Sequence, residues 1–497
     1  MGLRTGAEYI ESLRKLKPVI YYRGEKVDDV TRHPVTKWAV NIVAQLYDWN
    51  TDPKFDGILT ATSPLTGDRV DRFLHVFGSI DDLVMRQKQI RLIMRKSGTC
   101  ALKCPMMGAI NALYSTTYDM DKKCGTDYHP RFKEWLTHVH QENLFATGDM
   151  MDVKGDRHLH ASEQVEPDMY LRIVEERPNG VVVRGCKGHQ TAPFVADEIM
   201  ILPCTVMRGE KDKPYAISFT LPVDTKGITY IHQYNPTDVF VTDADRMDLG
   251  NAKYGCQFGA TAMIVFDDVF VPKERIFMHG EWEFTRYMVA RMGTMARLWQ
   301  TGCRPGIFDL LTGATRLIAE YNGVLDAAHI RDKLTEMSYL TETVWGTAMG
   351  AAACGAPTPC GAYLPNGLLT NVAKLQSTRA WYELIKTAVD ICGGLVTTIP
   401  SERDLKHPEV GKYVEKYLRG VAEIPTEQRM RIVRFIQALA LTPVSAALHH
   451  SGGPQENQKI IINRETDWEA KEQAVKILAE IEDGEVVDLG RTPFPSA

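Results

Sequence analysis

Three polar segments carry the residue types that could grip a large anionic cofactor. Met150-Met151-Asp152-Val153-Lys154-Gly155-Asp156-Arg157 offers exposed backbone amides with Lys154 and Arg157, a set able to accept a pyrophosphate, and Asp156 can orient Arg157. The same residues would also make a solvated turn with a surface ion pair. Gly185-Cys186-Lys187-Gly188-His189-Gln190-Thr191 combines glycines that permit close backbone approach with side chains able to bond the edge of a ring, or it is a plain loop. Val389-Asp390-Ile391-Cys392-Gly393-Gly394 ends a helical pattern in paired glycines, which is a C-cap or a place of backbone contact with a ligand. His449 and His450 precede a glycine-rich turn, where one could act as a general base or could satisfy the last carbonyls of a helix. Arg304, directly after Cys303, could hold a carboxylate or thioester oxygen, or form an ion pair.

Composition bounds these options. The 497 residues are 44% apolar and 24% charged, ordinary values for a soluble globular protein, and the length suggests about three domains. Basic and acidic residues, 58 and 63, mix along the chain, so nucleic acid is not an expected partner. No uninterrupted apolar run reaches the roughly 18 residues of a membrane span, and the first residues carry no apolar leader. A cytoplasmic location is the expectation. Ten scattered cysteines do not form a secreted disulfide framework, which leaves each as a ligand, a reactive thiol or a small buried residue.

The elements that must position these residues fall into blocks. Helical periodicity is read over 7–16, 33–49, 80–95, 107–115 and 130–142. Short β-branched runs follow over 169–174, 181–184, 198–207, 215–223, 228–234 and 262–271, with Arg177-Pro178-Asn179-Gly180 marking a hairpin. Helices return over 284–300, 307–321, 327–353, 368–391, 428–448 and 467–482. Segregated blocks of this kind predict an α+β fold rather than a βαβ repeat, and no G-x-G-x-x-G supports a Rossmann site. The expected domains are an N-terminal helical domain (1–144), a β domain (145–278) and a C-terminal helical domain (279–497).

Taken together, the three polar segments resemble the 4-hydroxybutyryl-CoA dehydratases, a family related to the flavin-dependent 4-hydroxyphenylacetate hydroxylases. The likeness runs from Tyr9 to Gln455 and includes Tyr114-Ser115-Thr116-Thr117-Tyr118, His129-Pro130-Arg131-Phe132-Lys133-Glu134, Lys154-Gly155-Asp156-Arg157, His189-Gln190-Thr191, Phe266-Asp267-Asp268-Val269-Phe270, Tyr321-Asn322-Gly323 and Pro400-Ser401-Glu402. It implies an acyl-CoA-dehydrogenase-like fold with a β-barrel-like middle domain and a C-terminal helical bundle, assembled as a homotetramer. It also implies FAD held by Met150, Met151, Asp152, Lys154, Gly155, Asp156, Arg157, His189, Gln190, Thr191, Asn322, Asp390, Gly393 and Gly394.

The family's [4Fe–4S] cluster uses three Cys and one His. Cys100, Cys104 and Cys303 fall on the Cys positions, and the i, i+4 pair is expected on one helical face. The His position holds Ala296, and family acids are replaced at Thr261 and Ala446, whereas His449 matches a family His. Three alternatives stand: a three-Cys cluster with an open iron, a substitute ligand such as His279 or Cys256, or no cluster. The implied reaction is dehydration or isomerisation of a small hydroxyacyl substrate, with a CoA thioester as one form. The alternative is a reduced-flavin monooxygenase served by a separate flavin reductase. The hydroxylase signature G-R-S-P-D-Y is missing, since that region reads Lys103-Cys104-Pro105-Met106-Met107-Gly108.

Overall fold

A computed structural model of the chain describes residues 3–235, 238, 244–255 and 260–486. Helices α1 (Gly6–Lys15), α2 (Lys37–Thr51), α3 (Ile80–Ser97), α4 (Cys104–Cys124) and α5 (Tyr128–Glu142) come first. Local chemistry sets their ends. Thr5 and Glu8 form a capping box on α1, Ser79 caps α3, and Gly98 closes α3 in the left-handed conformation at φ 62°. The same segment also contributes β1 (Val19–Tyr22), β2 (Glu25–Lys26), β3 (Thr60–Thr62) and β4 (Arg69–Asp71), which are too short to leave a period in the sequence.

The middle of the chain supplies β5 (Ala146–Asp149), β6 (Arg172–Arg177), β7 (Gly180–Thr191), β8 (Glu198–Ile201), β9 (Ile217–Pro222), β10 (Ile228–His232), β11 (Thr261–Pro272) and β12 (Ile276–His279). They form two open sheets, ordered β2-β1-β10-β11-β7-β6 and β12-β9-β8-β5. The expected barrel-like closure is therefore corrected. Each sheet ends in edge strands, and the two pack face to face, as the edge-on pair Phe219 and Phe266 shows. The hairpin read at 177–180 is present, with Arg177 opposite Gly180. β5 and β8 pair in parallel and are buried throughout, with α4 and α5 covering the outer face, so β5 needs no alternation and escaped detection as Ala-Thr-Gly-Asp.

The C-terminal block holds α6 (Thr285–Tyr321), α7 (Ala328–Ala353), α8 (Gly367–Cys392), α9 (Leu395–Thr398), α10 (Glu402–Lys406), α11 (Gly411–Tyr417), α12 (Thr426–Ala440), α13 (Pro443–His450), α14 (Gln455–Glu465) and α15 (Trp468–Leu478). Two expected helices merge into α6, which runs through Pro305. The proline forfeits the bond to the Thr301 carbonyl, yet packing of α6 on α3, α4, α7 and α8 carries the helix across. The single helix expected over 428–448 instead splits into α12 and α13, because the Thr442 hydroxyl caps a new start with Pro443 in its first turn. The run 426–465 is long and apolar enough to pass for one membrane span, but its longest helix has 15 residues and turns Met430, Val433, Ile436 and Leu439 into the bundle.

The start of α4 is fixed by a buried ion pair. Lys103, at the start of α4, places its ammonium 2.7 Å from Asp71 Oδ2, each side chain 1% exposed, and over the Tyr47 ring at 3.4 Å. Asp71 also accepts from the Phe73 amide. Removing one partner strands the other charge in the core. Lys103→Met is expected to destabilise the protein by about 3–5 kcal/mol, whereas Lys103→Met combined with Asp71→Leu recovers most of that loss; chemical denaturation of the two variants checks it.

Candidate active site

A cradle forms where the two sheets meet α4 and α6. Lys187 and Asp152 make an ion pair of 2.5 Å with both side chains buried, and Lys187 also donates to the Met150 and Leu202 carbonyls. Asp152 Oδ2 accepts from the amides of Cys204 and Thr205 and from the Thr205 hydroxyl. One buried pair thus ties three chain segments together. Gln190 donates to the Met151 and Gly188 carbonyls, and the Thr147 hydroxyl donates to the Thr191 carbonyl. His189 and Ala192 take left-handed backbone at φ 62° and 58°.

The turn beside this cradle is built on Gln164, whose Oε1 accepts from the Asp156 amide while Nε2 donates to the Asp156 carbonyl. Gly155 sits at φ 53°, and a Cβ there would lie 2.3 Å from Gln164 Oε1. Lys154 and Arg157 are exposed and make no ion pair among the described residues. The structure therefore brings together Met150, Met151, Asp152, Lys154, Gly155, Asp156, Arg157, His189, Gln190 and Thr191.

It does not bring the other four to them. Met207, three residues beyond Cys204, donates its amide to the hydroxyl of Thr285, the first residue of α6. Asn322 follows the other end of that 37-residue helix, about 55 Å away. There Asn322 Oδ1 accepts from Arg429, Asp390 pairs with Lys333, and Gly393 caps α8 with open space above it and above Gly394.

The cysteines lie between these ends. A Cβ on Gly148 in β5 would stand 2.3 Å from the Pro105 carbonyl, so the cradle strand rests directly on the first turn of α4 at Cys104. The expectation that Cys100 and Cys104 share a helical face is corrected. The helix begins at Cys104, with Pro105 in its first turn, and Cys100 is in the preceding loop, which folds back through Leu102 at φ 62°. The three thiols nevertheless share a neighbourhood: Cys104 and Cys303 both add to the rise that burial causes at Cys100, and burial pushes Cys303 up to about 12. Arg86, fully buried, donates to Cys104 Sγ at 3.2 Å. His279 pairs instead with Glu176, and Cys256 lies outside the described residues. Ala296, two turns before Cys303, presents only a methyl group. Among the described residues no three His, Cys, Asp or Glu side chains close around a single-ion position.

Around Cys303 the helices α6, α8, α13 and α14 converge on a buried polar cluster. Arg304, fully buried, spends most of its donors on Leu448 and Ser451 at the end of α13 and one on Gln300. That holds His449 in place. Arg297 donates through Nε to the Gly452 carbonyl, and Lys374, with no solvent exposure, donates to the Thr378 hydroxyl at 2.7 Å. Burial lowers Lys374 to about 6 and both arginines to about 10. Partial burial, then His450, Lys374 and Arg304, lower His449 as well. Arg86, Arg297 and Lys374 were missed by the sequence reading. Lys374 was findable, since it occupies the inward phase of α8 with Thr370, Ser377, Trp381 and Leu384.

The fold mixes helices with two open sheets and sets a sheet-borne cradle beside a cysteine-lined helical core. A glutaryl-coenzyme A dehydrogenase structure is similar in fold, with a TM-score of 0.51 at 15% identity over 85% of this chain and 84% of its own. Models for the N-terminal and C-terminal parts of 4-hydroxyphenylacetate 3-hydroxylase match residues 5–278 and 285–480. The chain is 39% identical to 4-hydroxybutyryl-CoA dehydratase/vinylacetyl-CoA-Delta-isomerase of Clostridium aminobutyricum, across 96% of this chain and 100% of that one. A solved 4-hydroxybutyryl-CoA dehydratase from N. maritimus, described as oxygen tolerant, superposes with a TM-score of 0.93 at 39% identity, covering 99% and 97% of the two chains. The oxygenase component of 4-hydroxyphenylacetate 3-monooxygenase complexed with FAD shares the fold, with a TM-score of 0.84 at 23% identity over 96% and 98%. The chain belongs to the 4-hydroxyphenylacetate 3-hydroxylase family, in the company of its dehydratase members.

Gly452 is the hinge of the cluster loop. It sits at φ 86°, and a Cβ there would lie 2.2 Å from Gln300 Oε1, the atom that also takes Arg304. Gly452→Ala is expected to cost about 1–2 kcal/mol through left-handed strain alone and to displace His449. Thermal unfolding, with a crystal structure of the variant, measures both effects.

Proposed function

We propose that the chain is an FAD-dependent enzyme that removes water from, or isomerises, a small hydroxyacyl substrate, with a three-cysteine iron–sulfur site beside the flavin. The single observation that carries this reading is the backbone contact of Gly148 with Pro105, which sets the cofactor cradle directly against Cys104 and its neighbouring thiols.

The cradle fits a flavin dinucleotide. Lys154, Arg157 and the exposed amides of their turn suit a pyrophosphate, while Met150, Met151, Asp152, His189, Gln190 and Thr191 supply a ring-sized polar and apolar wall. Asn322, Asp390, Gly393 and Gly394 lie about 55 Å along α6, so in this reading they serve a second copy's cofactor. That supports an oligomer, with a homotetramer as the form proposed. FAD supplies reversible one- and two-electron chemistry when bound.

The donor set also fits a cluster. Cys100, Cys104 and Cys303 would hold it, and buried Arg86 beside Cys104 offsets thiolate charge. Ala296 offers no ligand at the fourth position, so these three thiols would hold the cluster, which would supply Lewis acidity when bound. His449, held neutral by its surroundings at neutral pH, accepts the proton, and Arg304 positions it by bonding the end of α13. The described cysteines are all free thiols, which supports a cytoplasmic setting.

The competing reading is a monooxygenase supplied by a reductase, as in relatives such as the 4-hydroxyphenylacetate 3-monooxygenase oxygenase component of Thermus thermophilus, 26% identical over 89% of both chains. Against it, Lys103 is consumed in the buried pair with Asp71 at the hydroxylase signature position.

Anaerobically purified protein is expected to contain about four iron and four sulfide per chain, lost in Cys303→Ala, and to release water from 4-hydroxybutyryl-CoA. Iron-free protein with a plain flavin spectrum, or a flavin that consumes oxygen rapidly after reduction, would overturn the lyase reading. Lys187→Met strands Asp152 and is expected to cut bound flavin more than tenfold, read as the ratio of flavin to protein absorbance.

A further inference from the structure

A cleft of about 260 Å³, its open mouth included, lies between α2, the loop ahead of α4 and the approach to β11. Trp38 and Ile42 of α2, Cys100 and Leu102 of the loop, Tyr254 and Ala260 line it, and none of its lining residues carries a charge. Its walls are tied together by one buried side chain. Asn251 Nδ2 donates to the Ser97 carbonyl at 2.7 Å, three residues before Cys100, while its Oδ1 accepts from the Lys253 and Tyr254 amides. The turn that carries Tyr254 is thereby fixed to the turn that carries Cys100. Gly255, at φ 69°, brings the chain against the Trp38 ring, and Trp49 meets Tyr254 edge-on at 6.1 Å.

Two donors in this cleft have no partner. The Tyr254 hydroxyl, on a residue 6% exposed, and the Trp38 indole N–H are both buried and unbonded among the described residues. Buried tyrosine and tryptophan ordinarily bond their polar tips, so two unmet donors in one cleft call for an acceptor that enters it. The acceptor is uncharged, because a carboxylate brought there would lose its water with no cation among the lining residues to balance it. A carbonyl oxygen has two lone pairs and can take both donors. Positive charge flanks the cleft without lining it: the Lys37 ammonium lies over the Trp38 ring at 5.4 Å, and that of exposed Lys253 over the Tyr254 ring at 5.2 Å. That is the setting a phosphate-bearing carrier needs outside an uncharged slot.

We propose that Tyr254 and Trp38 form an acyl-oxygen subsite beside Cys100, in which the tyrosine hydroxyl and the indole N–H donate to the carbonyl oxygen of a thioester. Lys37 and Lys253 meet the phosphates of its carrier. The subsite deepens the lyase reading by naming the residues that hold the acyl group, and it rests on that reading only for the claim that the bound thioester is dehydrated. A free hydroxy acid does not fit, since its charged end would occupy the uncharged slot.

The anaerobic holoprotein is to be titrated calorimetrically with butyryl-CoA, with S-butyryl-N-acetylcysteamine, which keeps the thioester and drops the phosphates, and with butyrate. Both thioesters are expected to bind, and butyrate at least tenfold more weakly. Tyr254→Phe and Trp38→Phe each remove one donor and should each weaken both thioesters about fivefold. Lys37→Met combined with Lys253→Met should weaken butyryl-CoA alone. Tyr254→Phe deletes an unpaired buried hydroxyl, so its thermal midpoint should hold or rise, which separates a lost contact from misfolding. No binding of either thioester, affinities unchanged in both Phe variants, or butyrate bound as tightly as the thioesters overturns the subsite. Release of water from 4-hydroxybutyryl-CoA with binding unchanged in the variants would sink this inference and leave the lyase reading intact. Thioester binding that weakens in the variants of a protein releasing no water would do the reverse.

Discussion

Strand β5 lies on the first turn of α4 with no side chain between them, and the rest of the molecule is arranged around that approach. Only glycine permits it at position 148. On one side the Lys103–Asp71 pair fixes where α4 begins, and on the other the Asp152–Lys187 pair fixes where the strands after β5 turn. Both pairs are buried, so each is costly to form and costlier to break. They set geometry more than they add stability, because apolar residues of similar size would fill the same space at less expense. A methyl group at position 148 would pry the cradle from the cysteine turn without touching a single polar residue of either.

Electrostatics in the interior follows one theme. Some buried charges are paired, as Arg4 is with Asp197 and Lys187 with Asp152, whereas Asp149 in β5 is fully buried with neither carboxylate oxygen partnered among the described residues. In the helical core around Cys303, Arg86, Arg297, Arg304 and Lys374 are buried and make no ion pair with an acid among the described residues. Arg304 is intermediate, because the carbonyls at the end of a short helix act as its counter-charge.

Much of this was legible before any coordinates. Block order, the 177–180 hairpin and the long helices follow from periodicity, and the cradle segments were visible as glycine-bracketed polar runs. What escaped had physical reasons. β5 is buried on both faces and carries no alternation, while α6 runs through a proline that its neighbours support. The Cys100–Cys104 spacing suggested a helix, although Pro105 was already the sign that one starts at Cys104. Closure of the sheets depends on which strands meet at the edges, and no local pattern encodes that. Lys374 was readable as a charged residue in apolar phase, whereas Arg86 and Arg297 look in sequence like any surface arginine.

The length of α6 has a genetic consequence. If residues near its two ends serve different cofactors, each chain is half of two sites rather than the whole of one. A lesion in the cradle and a lesion at Asn322 then damage different halves. In a cell making both defective forms, mixed assemblies would contain some sites built wholly from sound halves. Two inactive alleles would complement each other, and a single mutant chain in an otherwise normal assembly would disable one site rather than poison all of them.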